Sequence, residues 1–169
     1  SEGKTIFNND KRKCINCDEI SYLGKDYPII KDNYKKIFSP ETSYQMTSIL
    51  EGVVQRGTAK KLRDLKLNIA GKTGTTNKNT DTWFVGYTSD LLIGVYVGLD
   101  NPSPLGRYET GSKTALPIFK EFVEKTVNKS EARPFKAAKG TVMMVIDPNT
   151  GQKAKFNSKN PIIEVYKKQ

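Results

Sequence analysis

Four short strings in this 169-residue chain carry side chains able to do chemistry. Lys72-Thr73-Gly74-Thr75 sets a cation and two hydroxyls around a residue with no side chain. Such a glycine lets a ligand lie against the backbone, and the lysine charge suits an anionic peptide terminus. Taken alone, the string equally describes an ordinary strand with an exposed lysine. Cys14 and Cys17 form a C-x-x-C. A zinc site would need two more ligands, and no other Cys or His exists to supply them. Haem attachment needs His after the second cysteine, where Asp18 stands. A thioredoxin-type motif should open a helix after a strand, yet the charged flanks Asp10-Lys11-Arg12 and Asp18-Glu19 read as loop. Two readings remain: a local disulfide in an oxidising compartment, which is preferred, or two structural thiols. Ser1-Glu2-Gly3-Lys4 and Ser158-Lys159-Asn160 match S-x-x-K and S-x-N by letter.

The chain has no histidine. A Ser-His-Asp or Cys-His mechanism within it is therefore excluded, and a proton-transfer base would have to be Lys, Asp, Glu or Tyr. A net charge of +10 suits either a generally basic surface or an anionic partner. The lysines are scattered, with small clusters at Lys11-Arg12-Lys13, Lys35-Lys36, Lys60-Lys61 and Lys167-Lys168. Without aromatic interleaving or a binding motif, nucleic acid is not the expected partner. The longest apolar run, Leu91 to Leu99, is too short to span a bilayer. No signal segment opens the chain, so an exported protein would carry its exporting segment upstream.

The elements that must position these groups follow from periodicity. Residues 1–9 read as a short strand after the turn Glu2-Gly3-Lys4, and residues 10–38 as a loop with short helical turns. Ser39 as N-cap and Pro40 at the first helical position open a helix. Met46, Ile49, Leu50, Val53 and Val54 give it one buried face, and Gly57 stops it. The period then changes. Residues 67–76, Trp83 to Thr88 and Leu91 to Leu99 predict three strands in an antiparallel meander. The last is nearly all apolar, so both its faces are expected to be covered. A second helix is predicted over Ser112 to Val127, with Ala115, Ile118, Phe119, Phe122 and Val123 inward. A linker at 129–134 leads to a strand over Thr141 to Ile146 and the turn Asp147 to Gly151. The division is thus residues 1–128 and a β extension over 129–169.

Around the lysine string stand further segments: Gly57-Thr58-Ala59, Ala70-Gly71, Asp81 to Tyr87, Gly98-Leu99-Asp100 and Ala115-Leu116-Pro117-Ile118. In this order they resemble the transpeptidase domain of class A penicillin-binding proteins, the bifunctional cell-wall synthases. The resemblance covers residues 39–127 well, and the Glu2-Gly3-Lys4 turn and the Asp147 to Gly151 and Glu164-Val165 segments more loosely. Of the superfamily motifs S-x-x-K, S-D-N and K-T-G, the chain supplies a credible third. The resemblance implies an α+β fold: an antiparallel sheet flanked by helices, as in serine β-lactamases, incomplete in this chain. It implies that Thr73 and Thr75 offer hydroxyls to the substrate's terminal carboxylate. The Thr75 backbone N–H would be an oxyanion-hole donor, worth about 10²–10³ in rate. Lys72 would face the serine of S-x-N, with Gly74 and Thr76 completing the substrate wall.

The two other letter matches fit poorly. The nucleophile motif should start a buried helix, with its lysine one turn from the serine, whereas Gly3 and the β-branched run after it predict a turn and strand. Ser158-Lys159-Asn160 follows the Lys-Thr-Gly string when it should precede it. The resemblance therefore implies a fragment of a peptidoglycan D,D-transpeptidase, inactive alone because its nucleophile lies elsewhere. No metal or organic cofactor is implied. Stem peptides and β-lactams are the implied partners, and the location is the extracytoplasmic face of a membrane that anchors the parent protein. A D,D-carboxypeptidase or serine β-lactamase-like hydrolase shares the motif, and a non-catalytic basic binding module is the alternative of another class. Trp83 is expected in the core or at the rim, Asp81 in a turn, and Tyr87, Phe119 and Phe122 in the core.

Overall fold

A computed structural model describes residues 13–15, 29–31, 35–130 and 132–168. The chain forms two compact units, residues 1–39 and 40–169. In the first, the expected loop contains an antiparallel pair, β1 (Lys13–Ile15) and β2 (Ile29–Lys31), with Cys14 opposite Ile30. Strands of three residues are too short to show alternation, which is why periodicity missed them. Cys14 is not a free thiol, and Cys17 lies outside the described residues. The strand expected over 1–9, and with it the Ser1 to Lys4 string, also lies outside them.

In the second unit, α1 spans Pro40–Gln55, opening at the proline as predicted. A short 3-10 helix follows at Lys60–Leu65 and buries Leu62 and Leu65. The meander is β3 (Ala70–Thr75), β4 (Asp81–Tyr87) and β5 (Leu92–Gly98), in the order β3-β4-β5. Its register pairs Gly71 with Gly86, Thr73 with Phe84 and Gly74 with Trp83. Because cross-strand partners share a face, Thr73 and Thr75 stand with Phe84 and Thr82, while Lys72 and Gly74 stand with Val85 and Trp83. The turn between β3 and β4 needs positive φ at Lys78 and Asn79.

Helix α2 (Ala115–Thr126) covers the Phe84 face. Pro117 is its third residue, where a helical N–H has no intrahelical partner to lose. Phe84 and Phe119 meet edge to face at 4.7 Å between centroids. Around them pack Val54, Leu62, Leu65, Ile69, Leu116 and Val123. A separate hairpin, β6 (Thr141–Ile146) with β7 (Ile162–Lys167), packs on α1. Gln45 Nε2 donates to the Val165 carbonyl at 3.1 Å, and Arg56 pairs with Glu164.

Three expectations about burial are corrected. Met46 and Ile49 of the α1 stripe are half exposed, and the core contact is made by Val54. In α2, Ile118 and Phe122 face outward while Leu116 is buried. One face of β5 packs on the core, while Leu92 and Tyr96 on the other are exposed among the described residues. The apolar stripe of each element is thus wider than the surface that these residues cover. Replacing Phe119 by Ala should remove about 3–5 kcal/mol of stability in denaturant unfolding, against about 1 kcal/mol or less for the outward Phe122→Ala. Equal losses would refute this placement of the core.

Candidate functional site on the edge strand

Strand β3 changes character along its length. Ala70 and Gly71 are buried, Lys72 is exposed, Thr73 and Gly74 are half-buried, and Thr75 is exposed. The buried end anchors the strand in the core, and the open end carries the reactive side chains. As the edge strand of the sheet, β3 leaves these groups beside an edge that no other strand occupies among the described residues. The structure thus brings Lys72, Thr73, Gly74 and Thr75 together as an open wall. A cavity of about 360 Å³ lies elsewhere, between Leu67, Asn68, the Thr88–Leu91 turn and Val127. It contains none of the wall residues.

The wall is held from several sides. Lys72 Nζ donates to the Thr73 carbonyl at 2.9 Å, so one ammonium proton is engaged. Thr73 Oγ1 lies 2.9 Å from Thr58 Oγ1, on the turn that leaves α1. Thr75 Oγ1 accepts the Gly111 N–H at 3.1 Å, which leaves the Thr75 hydroxyl proton able to donate outward. Gly111 lies against the sheet backbone: a Cβ there would come 2.5 Å from the Trp83 carbonyl oxygen and 2.6 Å from that of Gly74. Periodicity could not find Gly111, because its role is a close approach across 36 residues of sequence. The one available signal was a glycine placed just ahead of a helix.

Thr76 belongs to the turn. Its hydroxyl lies 2.8 Å from Thr80 Oγ1 and accepts the Asp81 N–H at 2.9 Å. Asp81 is the anchor of this knot. Its carboxylate accepts from Tyr96 Oη at 2.7 Å, Thr80 Oγ1 at 2.9 Å and Thr76 Oγ1 at 3.3 Å. The Tyr96 bond, then that of Thr80, holds the Asp81 carboxyl below its ordinary value, against a smaller opposing effect of desolvation. The same bond raises the Tyr96 phenol. Trp83 is 43% exposed and tilted against Tyr96 at 4.8 Å, which puts it at the rim. Ser158 is committed locally, its hydroxyl accepting the Lys155 N–H at 3.0 Å.

Comparison with known proteins identifies the family and the fold. The family model described as the penicillin binding protein transpeptidase domain matches residues 24–124. Penicillin-binding protein 1A of Rickettsia bellii is 38% identical over 168 residues, covering 98% of this chain and 21% of that protein. Penicillin-binding protein 1A of Pseudomonas aeruginosa is 38% identical over 136 residues, 80% of this chain and 16% of that protein. The crystal structure of penicillin-binding protein 1A from Haemophilus influenzae superposes with a TM-score of 0.67 at 27% identity, over 77% of this chain and 20% of that one. The α+β fold is shared with that structure. The chain spans about a fifth of the length of the Rickettsia relatives.

The Asp81 knot makes a pH prediction. A carboxyl whose folded pKa is depressed stabilises the fold above its unfolded value and loses that contribution as pH falls through the folded one. Wild type should therefore exceed Asp81→Asn in thermal stability near neutrality. The gap should close as pH drops below about 4, the ordinary carboxyl range. Parallel melting curves across that range would rule out Asp81 as the anchor.

Proposed function

We propose, for a chain that belongs to the penicillin-binding protein transpeptidase family, that β3 is the substrate-binding wall of a D,D-transpeptidase. The attacking serine is carried by a part of the protein outside these 169 residues. The observation behind this reading is the edge strand itself. A lysine ammonium and two threonine hydroxyls lie along four consecutive residues, open to solvent but rooted in the core through Ala70 and Gly71.

The chemistry assigned to the wall is acyl transfer. A serine hydroxyl attacks the carbonyl between two D-Ala residues of a stem peptide, and the resulting oxyanion is met by the Thr75 backbone N–H. The bond to the terminal D-Ala breaks, D-Ala leaves with a proton, and the acyl-serine ester remains. An amine of a neighbouring stem peptide then takes the acyl group and frees the serine. Lys72 neutralises the substrate's terminal carboxylate, and the Thr73 and Thr75 hydroxyls donate to it. Gly74 keeps the surface flat enough for an extended peptide to lie on it. A β-lactam would occupy the same wall and acylate the same serine. The protein acts in cell-wall synthesis, anchored to a membrane with this domain on the extracytoplasmic side. The oxidised state of Cys14 supports that compartment.

Fluorescent penicillin tests the reading. The 169-residue chain alone should take no covalent label, whereas the longer protein containing it should be labelled stably at a serine. In that longer protein, Lys72→Ala should slow labelling about 10–100-fold, the range for losing a charge-assisted hydrogen bond. Label on the isolated chain would refute the placement of the nucleophile. A longer protein that takes no label would overturn the acyl-serine mechanism.

A further inference from the structure

Gly57-Thr58-Ala59 lies outside the Lys-Thr-Gly string, on the turn that leaves α1. The structure holds this tripeptide firmly. The N–H groups of Gly57 and Ala59 both donate to the Val53 carbonyl, at 3.0 and 3.1 Å. The chain thus wraps the last turn of α1 and satisfies a carbonyl that the helix leaves open. Ala59 is completely buried. A Cβ on Gly57 would lie 2.9 Å from both the Cα and the carbonyl oxygen of Val53, so only glycine fits without a backbone shift. Between these two fixed neighbours stands Thr58, exposed, with its hydroxyl oxygen 2.9 Å from that of Thr73.

We infer that Thr58 is a specificity-determining residue of the wall, forming with Thr73 a paired-hydroxyl donor for the substrate's terminal carboxylate. The inference rests on the transpeptidase reading of β3. Each hydroxyl carries one proton. When two hydroxyls share a hydrogen bond, one proton lies between them and the other is left to donate outward, whichever residue is the donor. A hydroxyl that already donates is a better acceptor, and one that already accepts is a better donor, so the pair polarises mutually. Lys72 Nζ sits on the carbonyl of Thr73, which places a positive charge at the same residue. An anionic oxygen meeting the pair finds a polarised hydroxyl, and a charge-assisted bond of that kind is roughly twice as strong as a neutral one. The pair is open to solvent, so its bond contributes little to stability by comparison with a buried one.

The test uses the longer, serine-bearing protein and two acylating probes: benzylpenicillin, and its carboxyl methyl ester, which lacks the charge. Thr58→Val keeps the shape and removes the hydroxyl; Thr58→Ser keeps the hydroxyl. Thr58→Val should slow acylation by benzylpenicillin about tenfold or more and leave acylation by the ester within about twofold of wild type. Thr58→Ser should restore the preference for the carboxylate. Equal slowing of both probes by Thr58→Val would mean that Thr58 merely positions β3, and would overturn the inference. So would unchanged rates with both. If the wild-type protein is acylated by neither probe, the acyl-serine reading itself fails and this inference falls with it. If wild type reacts and Thr58→Val matches it, the inference alone fails.

Discussion

The rings of Phe84 and Phe119 fit where two strands lack side chains, and the rest of the unit is arranged around that fit. Gly71 and Gly86 are directly paired across β3 and β4. A Cβ on Gly71 would lie 2.7 Å from Phe84 Cζ, and one on Gly86 would lie 2.6 Å from Phe84 Cε1 and 2.9 Å from Phe119 Cε2. The ring pair therefore locks α2 onto the meander at one register. A slip by one residue would send Phe84 to the uncovered face and bring Val85 under the helix. That register also decides which face of β3 receives Thr73 and Thr75 and which receives Lys72. A packing constraint in the core thus sets the layout of hydroxyls and charge several residues away.

The parts of this layout that depend on local spacing were legible in the sequence. Pro40 opens α1 where expected, and the three strands of the meander follow their predicted order. Lys72 to Thr75 fall on a strand, as the glycine-interrupted run implied. The parts that depend on distant contacts were not legible. Gly111 acts on Thr75 through a close approach between segments far apart in sequence. Met46, Ile49, Ile118 and Phe122 lie on faces that periodicity marks as apolar, but these side chains are about half exposed. Periodicity reports which side of a helix should be buried; it cannot report what is present to bury it. The same limit explains Tyr96 and Leu92 on the open face of β5.

These exposed faces bear on the wall. Trp83, Val85 and Tyr96 form an apolar surface on the side of the sheet from which Lys72 rises. A lysine on such a surface is well hydrated while the surface is open. If an apolar element covers it, the surrounding dielectric falls and the ammonium's attraction for an anion strengthens. The hydroxyls of Thr73 and Thr75 stand on the opposite face, whose core is already filled by α2. The two kinds of polar group therefore differ in how far they are held. The hydroxyl side is held in place by Thr58 and Gly111, while Lys72 is held by a bond to the carbonyl of its neighbour Thr73.

That asymmetry argues for a division of labour within one strand. Directional donors must be placed to within a fraction of an ångström, because a hydrogen bond weakens steeply with angle. They are supported here by backbone contacts at glycines that admit no side chain: Gly57 beside Thr58, and Gly111 beside Thr75. A point charge tolerates looser placement, because Coulomb attraction falls slowly with distance, and Lys72 is a flexible side chain with one bond to the backbone of its own strand. In the proposed role, hydroxyls placed by these contacts would fix the orientation of a carboxylate, and a loosely held cation would let the substrate enter and leave. Under the proposed function, β3 is a preformed half-site whose directional part is built into Thr73 and Thr75 and their contacts with Thr58 and Gly111.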